Sequence, residues 1–414
     1  MNDSLKTTPL NEWHRNAGAN MADFGGFDMP LWYDTGVKNE HLAVLRSAGI
    51  FDTSHMACIS VQGADSLELI NYCFTRDISG LAAGRCVYGA FLDTKGHCID
   101  DAIVYRFSEH RFMICVNAGM GGAIATHLED NLDGRDAALK DMSGLLAKVD
   151  VQGKNAARIL AGLLKDPDTV FDRVPYFSFK GDIDPDQGDP IFLADGTPIL
   201  LSRSGYTGEF GFEIFISPDA VVKLWNDLLE VGKPFDLTPC GLGARDSLRA
   251  GSCLPLSHQD IGQFPFVNHP WDFALPYTED KSGFTKDFLG ASALVSAEDA
   301  AYTYAFAGDS LRKVNAGDDT QVLDESGNPI GKVLTCATDM GISWVDDNIV
   351  SINTPDLPCD LKIKGIACGF VMVSKALTPG TRLTLKEGKR SIGVRLVTDI
   401  RPNRTARLAL KNFI

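Results

Sequence analysis

Gly96-His97-Cys98-Ile99-Asp100-Asp101-Ala102-Ile103-Val104-Tyr105 has the make-up of a strand carrying two acids in its middle, and Cys86 to Leu92 and Arg111 to Asn117 are strand-like runs on either side. The links between the three are too short for parallel crossovers, so an antiparallel meander is predicted, its central strand running from Cys98 to Phe107. Strand side chains alternate faces, so Asp100 and Asp101 point opposite ways and cannot act as one carboxylate pair. Asp101 shares its face with Ile99, Ile103, Tyr105 and Phe107, and Asp100 shares its own with Cys98, Ala102, Val104 and Arg106. Asp101 is therefore the expected inward acid. A desolvated carboxylate without a partner is strongly unfavourable, so Asp101 is either bonded to neighbouring backbone amides or placed to meet a ligand.

Ahead of the meander, Gly36 to Gly49 has apolar residues at helical spacing and closes on a glycine, as a helix C-terminus does. Asp65 to Cys73 predicts a short helix before the meander, and Gly119 to Leu132 a helix after it. The pattern then begins again, with a strand at Leu146 to Val151 and a helix at Asn155 to Leu164. No convincing short-period repeat accompanies it. Such alternation predicts an α+β body of two related lobes spanning residues 1–298, with the polar stretch 181–190 as a surface excursion. From about residue 299 to 414 a closed or sandwiched β domain is expected, ending near Thr398. Its short strands are Tyr302 to Phe306, Thr320 to Leu323, Gly331 to Cys336, Ile349 to Ile352, Gly369 to Val373 and Arg382 to Leu385.

Composition bounds the function. The chain has 414 residues, 44% of them hydrophobic, which suits two or three domains around separate cores. A formal charge of −15 without clustered Lys and Arg argues against nucleic acid as a partner. No apolar run is long enough for a membrane span, and the opening Met1 to Lys6 has neither a secretory apolar segment nor an Arg-rich transit pattern, so the expected location is cytoplasmic. Ten cysteines without CxxC or zinc spacing, and eight histidines without HExxH, predict buried free thiols and no metal site.

Two further stretches carry chemistry. In Ser204-Gly205-Tyr206-Thr207-Gly208-Glu209-Phe210-Gly211-Phe212-Glu213-Ile214-Phe215, glycines turn the backbone tightly and Glu213 falls inside a strand. Glu213 either points outward from a hairpin or serves as a bidentate acceptor for a flat heterocycle with two adjacent N–H donors, as an aminopyrimidinone edge presents. Cys240-Gly241-Leu242-Gly243-Ala244-Arg245-Asp246 has two glycines ahead of a helical pattern but lacks the spacing of a dinucleotide or phosphate loop. Arg245 there either holds a ligand carboxylate or pairs with Asp246 or another nearby acid. His55, in Ser54-His55-Met56, is a proton carrier or a structural histidine.

Together these stretches resemble, in order and over nearly the whole chain, the glycine cleavage system T protein family, the tetrahydrofolate-dependent aminomethyltransferases. The segments are Met21 to Pro30, Glu40 to Val44, Phe51 to Met56, Ile99 to Tyr105, Val116 to Ala118, Gly205 to Glu213, Gly241 to Asp246, Lys286 to Gly290 and Asp399 to Pro402. The resemblance implies two α/β lobes and a C-terminal β-barrel around a central hole that binds folate. It makes Asp101 the catalytic acid, places Met56, Tyr88, Tyr105, Asn117 and Tyr206 on the folate pocket, sets Glu213 on the pterin edge, and has Arg245 helping to hold the site. The implied reaction moves an aminomethyl group from a dihydrolipoyl arm on a lipoylated carrier protein, the glycine cleavage H protein, to tetrahydrofolate, with release of ammonia.

The chain departs from the family pattern at Gly251, where Glu is common, at Ser257-His258, where a Tyr-Gly pair stands, and at Met120, where Asn is frequent. The stretch Phe264 to Pro276 is also richer in aromatics and prolines than the family pattern. These changes spare the folate positions and bear on the one-carbon donor. Two alternatives follow: a tetrahydrofolate-dependent demethylase of a small methylated amine, sulfur or oxygen compound, and a folate-binding regulatory or repair protein without turnover.

Overall fold

The structure is a computed structural model that describes residues 5–184, 186–262, 264–297 and 300–414. The predicted meander forms, with strands Arg85–Leu92, Cys98–Arg106 and Arg111–Val116 side by side, and Arg111–Val116 pairs onward with Ala57–Gln62. The second lobe repeats that arrangement. Strands Phe179–Gly181, Pro198–Ser202 and Gly211–Ile216 form its meander and Ala147–Gln152 follows as the fourth. In each lobe a helix follows the fourth strand in sequence, Ser66–Cys73 or Ala156–Ala161, and another follows the meander, Gly121–Asp130 or Pro218–Gly232.

The lobes leave an internal echo in the sequence: Val61-Gln62-Gly63 and Val151-Gln152-Gly153 both lead from strand to helix. Both glycines have positive φ, +143° and +122°, and a Cβ would meet a backbone carbonyl oxygen, of Asp136 at 2.2 Å and of Ser47 at 2.4 Å. Only glycine fits so close an approach. The repeat period spans a whole lobe, so a short window cannot register it.

Apolar spacing decides which face each helix buries. On Pro218–Gly232, Val221, Leu224, Trp225 and Leu228 fall on one stripe and are buried against the second sheet. Each such side chain contributes roughly 1.5–3 kcal/mol on burial. The early helix runs Val37–Arg46 and stops before Ser47, so Gly49 is not its cap. Gly49 instead begins a strand, and a Cβ there would lie 2.5 Å from Val44 Cγ2 and 2.8 Å from Cys240 Sγ. It is small for packing.

Strands Tyr302–Gly308, Ile366–Val373, Pro329–Asp339, Gly317–Leu323, Arg382–Glu387 and Arg390–Leu396 close into a six-stranded barrel in that order. One expected strand is displaced. Ile349 to Ile352 does not join the barrel, because Asn348–Ser351 pairs with Ile342–Val345 in a separate hairpin. The closing strand is Arg390–Leu396, whose alternating burial is diluted by exposed Arg390, Ser391 and Gly393. The division expected between residues 298 and 299 falls on positions outside the described residues, as does Pro185 of the 181–190 stretch.

The barrel is tied to the body by a buried ionic seam. Arg401 donates to Asp339 Oδ2 at 2.6 Å and to Ser252 Oγ at 2.6 Å, and His41 Nε2 lies 3.0 Å from Asp339 Oδ1. Gly251 belongs to this seam, since a Cβ would sit 1.8 Å from Asp339 Oδ2. The barrel carboxylate fills the space that a side chain at 251 would take.

Candidate functional site

Strand Cys98–Arg106 does not alternate cleanly. Ala90 pairs with Asp101 and Phe91 with Asp100, but Leu92 pairs with Cys98, so Ile99 is an extra residue and the strand bulges there. A bulge re-aims the side chains beside it, and here both acids end up buried, Asp100 completely and Asp101 with 8% exposure. The expectation of a single inward acid fails for Asp100 because both faces of this strand are covered.

The two acids have different surroundings. Asp100 accepts from Asn117 N at 2.9 Å, from Asn117 Nδ2 at 2.9 Å and from Ser257 Oγ at 2.7 Å. Asp101 accepts from Asn117 Nδ2 at 2.6 Å and from the Tyr88 hydroxyl at 2.7 Å, with no backbone donor among the described residues. It lines a cavity of about 340 Å³. Burial, and then the repulsion of Asp100, push the Asp101 carboxyl up to about 7 despite the donors Tyr88 and Asn117.

That position implies a measurable stability effect. A carboxyl that holds its proton to about pH 7 in the fold but loses it near pH 4 in the unfolded chain destabilises the fold by up to about 4 kcal/mol above pH 7. The cost is absent below about pH 4, grows as pH rises to about 7 and is constant above. Asp101→Asn is expected to raise the stability of the ligand-free protein by about 1–3 kcal/mol at pH 8, with the gain vanishing near pH 4. Equilibrium denaturation at both pH values checks this, and equal gains at both would exclude the ionisation cost.

The opposite wall comes from the second lobe. Glu213 on strand Gly211–Ile216 lies directly across from Asp150 on Ala147–Gln152, and two carboxylates facing each other would repel. Lys148, two residues before Asp150 on the same face, resolves this. Its ammonium donates to Asp150 Oδ1 at 2.9 Å and also to Glu213 Oε1. Burial works against the charged Lys148, yet Asp150 and Glu213 hold its pKa above the ordinary lysine value. Asp150 also accepts from Arg245 Nη1 at 2.7 Å, and Arg245 stacks over the Tyr206 ring at 4.9 Å. The acid that Arg245 pairs with is Asp150, not its chain neighbour Asp246. Glu213 is buried and not outward, and its second oxygen accepts from Ser204 Oγ.

The loop that carries Tyr206 is held from below. Gln152 accepts from Thr207 Oγ1 at 2.9 Å and donates to Ser204 O at 3.2 Å, and a Cβ on Gly205 would lie 2.1 Å from Gln152 Oε1. The glycines before Arg245 have a packing role. Gly241 N already donates to buried Glu40 at 2.9 Å, and a Cβ on Gly241 would meet Leu31 O at 2.4 Å, so no phosphate cradle forms.

Met56, Tyr88, Asp101, Asn117, Tyr206, Glu213 and Arg245 all line the one cavity. Tyr105 does not. It is fully buried behind Glu213, with its hydroxyl 3.5 Å from Glu213 Oε2 and its ring against Phe179 and Phe215. His55 also reaches the cavity, with a buried Nδ1 that has no hydrogen-bond partner among the described residues, and burial pushes its imidazole down to about 4. Lys148 and Asp150 escaped the sequence reading. The signal was present, since charges inside a predicted strand are the same anomaly that singles out Asp101. Leu31, Ile103, Leu242 and Leu256 supply apolar walls. Among the described residues no cluster could hold a metal ion, and no helix is long and apolar enough to cross a membrane.

Comparison with known proteins places this geometry. Residues 10–265 match the family described as the GCVT N-terminal domain. The aminomethyltransferase of Koribacter versatilis (strain Ellin345) is 31% identical over 378 residues, covering 87% of this chain and 95% of that protein. That of Desulfitobacterium hafniense (strain DSM 10664 / DCB-2) is 39% identical over 261 residues, 62% of this chain and 67% of that protein. The crystal structure of glycine cleavage system aminomethyltransferase T from Bartonella henselae superposes with a TM-score of 0.77 at 26% identity, covering 98% of this chain and 99% of that one.

Proposed function

This chain belongs to the aminomethyltransferase family of the glycine cleavage T protein, and we propose that it transfers the aminomethyl one-carbon unit of a lipoylated carrier protein to tetrahydrofolate, releasing ammonia. The observation that carries this is the buried Asp101 carboxylate on a cavity whose far wall holds Glu213 and Arg245. The donor set fits a reduced pterin. Glu213 would accept from the aminopyrimidinone edge, and the apolar walls suit a flat ring.

Tetrahydrofolate supplies the nucleophilic nitrogen that receives the one-carbon unit. The protein's share is orientation, charge and proton handling. Lys148 and Arg245 keep the Glu213–Asp150 wall neutral and fixed. Asp101, ionised above about pH 7, stabilises positive charge as it develops and takes up the proton released by the attacking nitrogen, from where it passes to the departing amine. Asn117 and Tyr88 hold its two oxygens in place. Positioning supplies most of the remaining rate, and no covalent nucleophile is required.

The test is a titration with tetrahydrofolate followed by donor screening. Saturable binding, and ammonia release from aminomethylated carrier protein only when tetrahydrofolate is present, are the expected results. Folate binding with turnover on a free methylated compound and none on the carrier would replace the donor with that of a demethylase. Absence of folate binding would end the proposal.

A further inference from the structure

Asp100 takes no direct part in lining the cavity, yet it governs the acid that does. The Asn117 side-chain nitrogen lies 2.9 Å from Asp100 Oδ1 and 2.6 Å from Asp101 Oδ1, so the two carboxylates are near neighbours joined by one amide. Like charges that close in a desolvated site repel strongly. His258 Nε2 lies 3.4 Å from the same Oδ1. The His258 side chain is half exposed, so it exchanges protons with water, whereas Asp100 is sealed.

Among the described residues the neighbourhood offers no other counterion. Tyr88 on Arg85–Leu92, Cys98 on the acids' own strand and Tyr206 on the glycine loop face Asp101 as neutral groups. Arg249 is engaged by Asp246 and Asp260, and Arg245 by Asp150. Among the described residues His258 is the one cationic side chain within 4 Å of either acid. Its backbone is left-handed, with φ +64°, a conformation that disfavours a non-glycine residue.

We propose that His258 is a positioning residue for this reaction, acting through Asp100 as the charged counterweight whose loss leaves Asp101 beside an uncompensated carboxylate. The contact with Asp100, against partial burial and with help from the charge on Asp101, raises the His258 pKa above the ordinary histidine value. The imidazolium therefore persists further toward neutral pH than a free histidine would. Removing it makes Asp101 harder to ionise, so any process that needs the Asp101 anion moves to higher pH. The kinetic consequence rests on the function proposed above, but the electrostatic coupling does not.

The experiment follows the side-chain carboxyl carbon of Asp101 by NMR in protein labelled at aspartate, the resonance being assigned by its loss in Asp101→Asn. The midpoint near pH 7 of the unaltered protein is expected to rise by about 0.5–1 pH unit in His258→Ala and to return in His258→Arg. The acid limb of the pH–rate profile is expected to move with it. Unchanged midpoints in a His258→Ala protein that melts like the parent overturn the proposal, as does an arginine that fails to restore the midpoint. His258→Gln, also neutral, must match alanine; a midpoint at the parental value in that variant would equally sink it. Should no donor give turnover, the assigned reaction fails while the carboxyl titration still decides the coupling.

Discussion

Asp101→Asn is expected to lower kcat by about 10²–10⁴-fold while tetrahydrofolate binding changes by less than about fivefold. Asparagine has the shape of aspartate, so Asn117 Nδ2 keeps an oxygen acceptor and the Tyr88 hydroxyl can turn to accept from the new amide. What is lost is the negative charge and the ability to take a proton. Both matter only once positive charge develops, so the deficit falls on kcat and not on binding. The parent's rate is expected to rise with pH through about 7 as Asp101 ionises, and the variant's to be flat over that range. A variant within fivefold of the parent at pH 8 would remove Asp101 from the chemistry.

Arg401→Ala is expected to cost about 3–5 kcal/mol of stability, the largest structural effect foreseen, because it strands Asp339 in the seam between barrel and body. Burial opposes the ionised Asp339, but Arg401 and then His41 outweigh it and hold the carboxyl below the usual range. A carboxyl depressed in this way stabilises the fold above its unfolded value near 4, and that contribution is lost as pH falls through the lower folded value. The deficit of the variant is therefore expected in full at pH 7 and smaller near pH 3. Thermal or denaturant unfolding followed by tryptophan fluorescence reports it, since Trp271 and Trp344 pack against the barrel side. A loss below 1 kcal/mol at pH 7 would mean that the seam is not where the two parts are held.

The legible features were those with a local physical signature. Alternating apolar residues and short links predicted the meander, and a carboxylate inside it marked Asp101. Turn-spaced short strands predicted a closed or sandwiched β domain and the family resemblance a barrel, which forms, but the strand that closes it was not foreseen, because Arg390–Leu396 has too few apolar side chains to announce itself. Tyr105 shows the limit on the site side. It shares a face with Asp101 four residues away, and only the packing of the second lobe decides that it backs Glu213 instead of meeting the cavity.

Periodicity and residue type act over a few neighbours, and they were enough to predict that these strands pair, which of them carry charges where apolar groups belong, and to which family the ordered segments are similar. Packing between distant segments set the burial of Asp100, the pairing of Lys148 and Arg245 with the facing acids Glu213 and Asp150, and the contact of His258 with Asp100. Those facts depend on a one-residue bulge and on contacts between residues far apart in the chain. Electrostatic energy is set by distance in space and by exclusion of water, and neither is written in the spacing of residues along the chain.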